Sequence, residues 1–269
     1  MAASKDSTLR TFIVIGLLCL VCSLMVCIAV VLLKPLQAKQ IQNDRELSIL
    51  EAAGITISGD ISKTYAENIE ARLVNLENGK YVPNDKAATI VGKDKNGKAL
   101  IDGYNFVSEA KLPDHSVTIE QSKDVAKIRT RTQYMPVYLV KNTVSGGYKS
   151  VILPFYGQGL WSTMYGYLAV AGDGNTIMGV KYYSHGETPG LGGEIENPKF
   201  TQQWVGKKLF DATGAPVFAV VKNASGEHQV DALSGATLTS NGVTSSVKFW
   251  TDSMGYGPYL QRIKNGGIK

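Results

Sequence analysis

The sequence predicts an α+β fold: an antiparallel sheet with flanking helices, preceded by one N-terminal transmembrane helix. Three observations carry this. Thr11–Leu33 contains no charged residue. The chain from about 134 to 184 is a succession of short runs rich in Val, Leu and Tyr, two of which meet at Asp173-Gly174, a strong hairpin-turn signal. Val243, Val247, Trp250 and Met254 recur at i, i+4, i+7 and i+11, one face of a closing helix.

Taken in order, residues 1–10 form a short polar tail and 11–33 the anchor. A helix of about 20 apolar residues crosses the hydrocarbon layer. The run is longer than the apolar core of a typical signal peptide, and no clean cleavage pattern follows it. Lys5 and Arg10 precede the span, and Lys34, Lys39 and Arg45 follow it. This near-tie leans slightly toward a cytoplasmic body. Cys19, Cys22 and Cys27 all lie in the anchor, so no disulfide staples the rest of the chain. Cys19 and Cys22 have CxxC spacing but no second pair, and they read as small apolar residues, with no metal site expected.

Residues 34–130 are read as juxtamembrane helices and the N-terminal part of a soluble body. A polar helix follows Pro35 from Gln37 to Ala53 and ends at Gly54. Ser62 is the expected N-cap of a short helix carrying Tyr65, Ile69, Leu73 and Leu76, stopped at Asn78-Gly79. The stretch from 81 to about 130 is mixed, with turn signals.

Residues 131–269 form the second part of the body. Strands are expected over 134–140, 148–155, 164–171, 175–184, 215–222 and 228–233. A second hairpin loop is expected at Asn223–Gly226. The formal charge of +5 is spread along the chain and no basic block is interleaved with aromatics, so nucleic acid is not an expected partner.

Three glycine-rich segments follow predicted strands, where functional loops gather. They are Tyr156–Ser162, His185–Phe200 and Val230–Val243. In the third, "VDALSGATLTSNGV", Ser240 or Asn241 is the expected N-cap of the last helix. Gly235 and Ala236 let another group approach the backbone, and Thr237 and Thr239 offer hydroxyls near a helix terminus that favours phosphate. Asp231 could bind a metal or orient a hydroxyl. An ordinary strand-to-helix turn accounts for the same residues.

The second segment reads either as a surface Ω-like loop or as a loop whose backbone comes close to a flat ligand, in which Leu191 could pack on the ligand's face while Glu187 and Thr188 bond its polar edge. Gly190 and Gly192 give close backbone approach. His185 is read as a solvated loop residue before a proton donor. Trp161 reads as core before ligand platform, and Lys207, which could balance a phosphate, as solvated. No catalytic acid–base pair stands out.

The three segments together, "GQGLW", "HGETPGLGG" and "DALSGATLTS", resemble the FMN-binding domain family of the membrane redox complexes of the Nqr and Rnf types. The resemblance covers nearly the whole chain. "LEAAGI" at Leu50–Ile55 and the long segment around it are similar to the C subunits of Na⁺-translocating NADH:quinone oxidoreductases, with the Rnf-type G subunits as the alternative. The resemblance implies FMN held covalently by its phosphate on the Thr237 hydroxyl, a phosphothreonine-type ester. A separate flavin transferase would make this ester from FAD with Mg²⁺, reading Asp231, Ser234 and Gly235 as its signal.

It also implies a cofactor site drawn from Trp161, Glu187, Thr188, Gly190, Leu191, Gly192, Lys207, Ser234, Gly235 and Ala236. The chain would relay electrons from NADH toward ubiquinone, coupled to Na⁺ export, within a membrane complex of six subunits, the others of which bind NADH and quinone. It would sit as a single-pass protein in a bacterial inner membrane with its body in the periplasm, against the slight lean of the charges. An Rnf-type complex joining ferredoxin to NAD, and an anchored scaffold without cofactor, are the alternatives.

Overall fold

The structure, a computed structural model, describes residues 8–57 and 59–268, so the tail expected over 1–10, with Lys5, lies outside the described residues as far as residue 7. Helix α1, Thr8–Ala52, is 45 residues long and runs through Pro35 without a break. A proline inside a helix removes one backbone hydrogen bond; here it does not divide α1 into the two helices expected. Residues 10–42 are exposed along their length, and this stretch includes one segment long and apolar enough to cross a membrane. Glycine ends α1 as expected. Gly54 has φ +65°, and the Ile55 N–H donates to the Leu50 carbonyl at 3.0 Å, a left-handed C-terminal cap.

The chain divides into two compact units, one up to Arg45 and one of Glu46–Lys269. In the second, α2 covers only Ile61–Asn68. Its N-cap is Asp60, whose carboxylate accepts from the Lys63 N–H at 2.9 Å. The expectation of Ser62 as cap and of a helix as far as Leu76 is corrected here: Ile69–Asn75 is strand β1. A spacing of four serves a helix, but it is also two strand repeats, so Ile69 and Leu73 fit either pattern. Pairing with a neighbouring strand decides between them. Asn78 and Gly79 then lie in the turn between β1 and β2 (Lys80–Tyr81), with Gly79 at φ +65°.

Helices α3 (Asn84–Val91) and α4 (Phe106–Glu109) and the antiparallel pair β3 (Ser116–Thr118) and β4 (Thr130–Thr132) fill the mixed region. The division expected at 130/131 falls inside β4. Strands β5 (Tyr134–Lys141), β6 (Tyr148–Gln158), β7 (Thr163–Ala171) and β8 (Ile177–Ser184) complete a six-stranded antiparallel sheet of order β2-β1-β5-β6-β7-β8. Asp173-Gly174 makes the β7–β8 hairpin. Asp173 Oδ1 accepts from the N–H groups of Asn175 and Thr176, both at 2.9 Å.

Both faces of the central strands are covered, which is why these strands read as continuous apolar runs. Leu139, Val151, Leu153, Leu168 and Val170 pack with α6 (Thr237–Thr251) and α7 (Gly257–Gly266) through Val243, Val247, Trp250, Leu260 and Ile263. On the other face, Tyr138, Val140, Ile152, Tyr167 and Ala169 pack with Ile49, Leu50, Ala52 and Tyr65. Helix α7 was not foreseen, although Pro258 at its start and the Tyr259, Leu260, Ile263 spacing signal it. The short helix α5 (Pro198–Thr201) precedes β9 (Ala219–Val221) and β10 (Gln229–Asp231). These two pair in parallel, Val220 opposite Val230, so residues 223–226 do not close the hairpin expected there.

Candidate functional site

The three glycine-rich segments meet at the N-terminus of α6, and the Glu187 carboxylate joins them. Oε1 accepts from the N–H groups of Trp161 at 2.9 Å and Ser162 at 3.3 Å. Oε2 accepts from the Leu160 N–H at 3.2 Å and the Thr239 hydroxyl at 2.6 Å. The carboxylate is thus bonded by the β6–β7 loop and by the first turn of α6, while its own backbone lies in the loop after β8.

Glu187 is 5 % exposed. Burial pushes its carboxyl up, but the Thr239 hydroxyl and the loop N–H groups outweigh burial and lower the pKa. The expected place of Glu187 on a ligand's polar edge is corrected in this respect: both oxygens are engaged by the protein. His185 supports it rather than lying free in solvent. Its Nδ1 accepts from the Glu187 N–H at 3.1 Å, and its Nε2 lies 3.0 Å from Glu196.

Three glycines make room for this clamp. A Cβ on Gly159 would lie 2.6 Å from Glu187 Oε1, and one on Gly192 would lie 2.5 Å from Thr239 Oγ1. A Cβ on Gly242 would meet the Gln158 carbonyl oxygen. These contacts press α6 against the end of β6.

Helix α6 begins at Thr237, with Ala236 as N-cap, and no side chain caps it. The expected caps Ser240 and Asn241 are inside the helix. The Ser240 N–H bonds the Ala236 carbonyl at 3.0 Å, and its hydroxyl accepts from the Leu233 N–H at 3.1 Å, turning back to tie down the entering loop. The hydroxyls of the stretch therefore separate by environment. Thr239 and Ser240 are buried and bonded, whereas Ser234 and Thr237 are exposed. Gly235, at φ +70°, turns the chain into the helix, and Leu191 Cδ2 is 3.1 Å from where its Cβ would stand.

On one side of Thr237 opens a cleft of about 680 Å³, of mixed polar and apolar lining, that includes Lys222, Asn223, Asp231, Ser234, Thr237 and Asn241 alongside Val220 and Leu233. Asp231 is exposed at the end of β10, with one oxygen accepting from the Ala224 N–H at 2.8 Å. The cation at this cleft is Lys222; Lys207 instead donates to the Gly226 carbonyl at 2.7 Å.

The bonded loops and the first turn of α6 also carry an exposed apolar set: Leu160, Trp161 and Leu191 in the loops and Leu238 in the helix. Trp161 is 68 % exposed, so its reading as core is corrected. The Thr188 side chain is exposed, and its carbonyl accepts from the N–H groups of Leu191 at 3.1 Å and Gly193 at 2.9 Å. This closes a turn in which Gly190 sits at φ +76°. Sequence reading missed Lys222, Asn223 and Leu238. The first two reach the cleft only through the parallel β9–β10 pairing, which has no local signature.

Comparison with known proteins gives the family. The FMN-binding domain family matches residues 159–252, a span that contains the loops and α6. The C subunit of the Na⁺-translocating NADH-quinone reductase of Pasteurella multocida is 46 % identical over 99 % of this chain and 98 % of its own. The protein of the same name from Neisseria meningitidis serogroup A is 47 % identical over 98 % of each chain. The crystal structure of NqrC from Shewanella oneidensis superposes with a TM-score of 0.73 at 35 % identity, covering 84 % of this chain and 98 % of that one. Full-length similarity at this level, with a shared fold, shows that the chain belongs to the family of C subunits of Na⁺-translocating NADH-quinone reductases.

Proposed function

We propose that the chain is the flavin-bearing, electron-relaying subunit of a Na⁺-translocating NADH-quinone reductase, with FMN held as a phosphoester on Thr237. The observation that carries this is the contrast among hydroxyls: Thr237 is exposed at the uncapped N-terminus of α6, while Thr239 and Ser240 are buried and bonded. The surroundings suit FMN. A phosphodiester keeps one negative charge, and a helix N-terminus favours such a charge by about 0.3–1 kcal/mol. Lys222 is the nearby cation of the cleft. Leu191, Leu238 and Trp161 offer apolar surface to a ring, and Gly235 leaves the backbone approachable.

FMN supplies one- and two-electron redox chemistry. The chain's own residues attach it, hold its charge at the helix terminus and leave it open to partners. An open site buries little ligand surface, and a covalent bond removes dissociation as a route of loss. NADH and quinone are assigned to other subunits of the complex, and electron flow from NADH toward ubiquinone with Na⁺ export to the assembly as a whole. A flavin transferase acting on Asp231, Ser234 and Gly235 fits their exposure around the cleft. In this reading α1 spans a bacterial inner membrane and the body lies in the periplasm, where the transferase works.

The test is the intact mass of the full chain under denaturing conditions, after export in a host with an active flavin transferase. We expect an increment of FMN minus water in the wild type and none in Thr237→Ala. An unmodified wild-type chain, or an increment that persists in Thr237→Ala, would overturn the assignment.

A further inference from the structure

We infer that Glu187 and Thr239 form a positioning pair that holds the first turn of α6 in the geometry from which Thr237 is modified. The inference rests on the proposed attachment at Thr237. Ala236 provides no side-chain cap, so the opening turn of α6 lacks the usual local restraint on fraying. The restraint comes instead from the 2.6 Å bond between the Thr239 hydroxyl and Glu187 Oε2, two residues beyond Thr237. Glu187 is itself fixed by the N–H groups of Leu160, Trp161 and Ser162. Gly159 and Gly192 admit the carboxylate and the hydroxyl at distances that a Cβ would block. The pair also engages and buries the second threonine of "TLT", leaving Thr237 as the accessible one.

In the modification step the Thr237 Oγ–phosphorus bond forms, and the anhydride bond of FAD to its adenylate half breaks. AMP leaves, and the hydroxyl proton passes to a base of the transferase. Attack of this kind depends on the nucleophile's time in the right orientation. Loosening the first turn therefore lowers the turnover of the transfer while leaving recognition of the exposed Asp231–Gly235 segment intact.

The experiment uses the full chain in detergent as substrate for a flavin transferase with Mg²⁺ and FAD, following attachment by intact mass. Thr239→Val keeps the shape and removes the hydroxyl, Thr239→Ser restores it, and Glu187→Gln alters the other partner. We expect Thr239→Val to lower kcat about tenfold with KM unchanged, Glu187→Gln to fall in the same direction, and Thr239→Ser to return most of the rate. Unchanged kcat in Thr239→Val and Glu187→Gln, a loss confined to KM, or failure of Thr239→Ser to recover would overturn the inference. If Glu187→Gln does not fold, the valine and serine variants decide alone. Absence of modification in the wild type would instead count against the attachment at Thr237, so the two failures are distinct.

Discussion

Replacing Gly242 by alanine separates helix propensity from packing, because the two predict opposite signs. Gly242 lies inside α6. In an open helix position, glycine to alanine is stabilising by about 1 kcal/mol. Here the new Cβ would meet the Gln158 carbonyl oxygen, with Gly159 Cα and the Met164 methyl both at 3.2 Å. The first two are backbone and cannot rotate away. Either α6 backs off from the end of β6 or the β6–β7 loop shifts. Overpacking of a tight interface costs about 1–3 kcal/mol, and backbone obstruction places this site toward the upper end.

Subtracting the propensity gain leaves a net loss of about 1–2 kcal/mol, or roughly 2–8 °C in Tm for a body of this size. Displacing α6 also carries Thr239 away from the Glu187 clamp and moves Thr237 with it, so the proposed flavin attachment should slow as well. Thermal unfolding followed by tryptophan fluorescence, paired with intact-mass kinetics, reads both effects. A Gly242→Ala chain as stable as the wild type, or more so, would refute the close packing of α6 against Gln158 and Gly159.

Two further outcomes follow from burial and charge. Trp161→Ala should change stability by no more than about 0.5 kcal/mol, as an exposed position does, whereas Trp204→Ala, at a residue with no exposed surface, should cost about 3–5 kcal/mol; urea unfolding of both variants checks the contrast. The Glu187 carboxyl has a folded pKa below its ordinary value of 4.5, so its contribution is fully present above that value and is lost as pH falls through the lower folded one. The stability gap between wild type and Glu187→Gln should therefore be widest near neutral pH and shrink on acidification below about 4.5, as Tm measured across a pH series would show; a gap that widens in acid would contradict the clamp.

The candidate site was partly legible in the sequence. Glycine clusters after strands and hydroxyls ahead of an apolar helical repeat placed it at the mouth of α6. The residue types drew notice for sound reasons, but several roles did not follow from them. Glu187 drew notice as an acid in a glycine-rich loop, yet nothing local says that four donors from distant segments converge on it. Ser240 has the chemistry of an N-cap, but its hydroxyl serves Leu233 from within the helix. Trp161 has the composition of a core residue and stands in solvent.

The sequence by itself determined the elements whose signals are local. An uninterrupted apolar run makes the long N-terminal helix, continuous apolar runs and Asp173-Gly174 make the central strands and their hairpin, and the spacing of Val243, Val247 and Trp250 makes α6, which ends at Thr251 before the Met254 expected on the same face. Each depends on neighbours within about one or two turns of chain. Only the tertiary structure decided what depends on distant partners. Pairing with β5 turned Ile69–Asn75 into a strand although its spacing also suits a helix. Parallel pairing of β9 with β10 brought Lys222 and Asn223 to the cleft. Burial and a hydrogen bond to Glu187 set Thr239 apart from Thr237, two residues of one kind in one helical turn. A hydroxyl's availability is a property of its surroundings, and those surroundings come from segments far away along the chain.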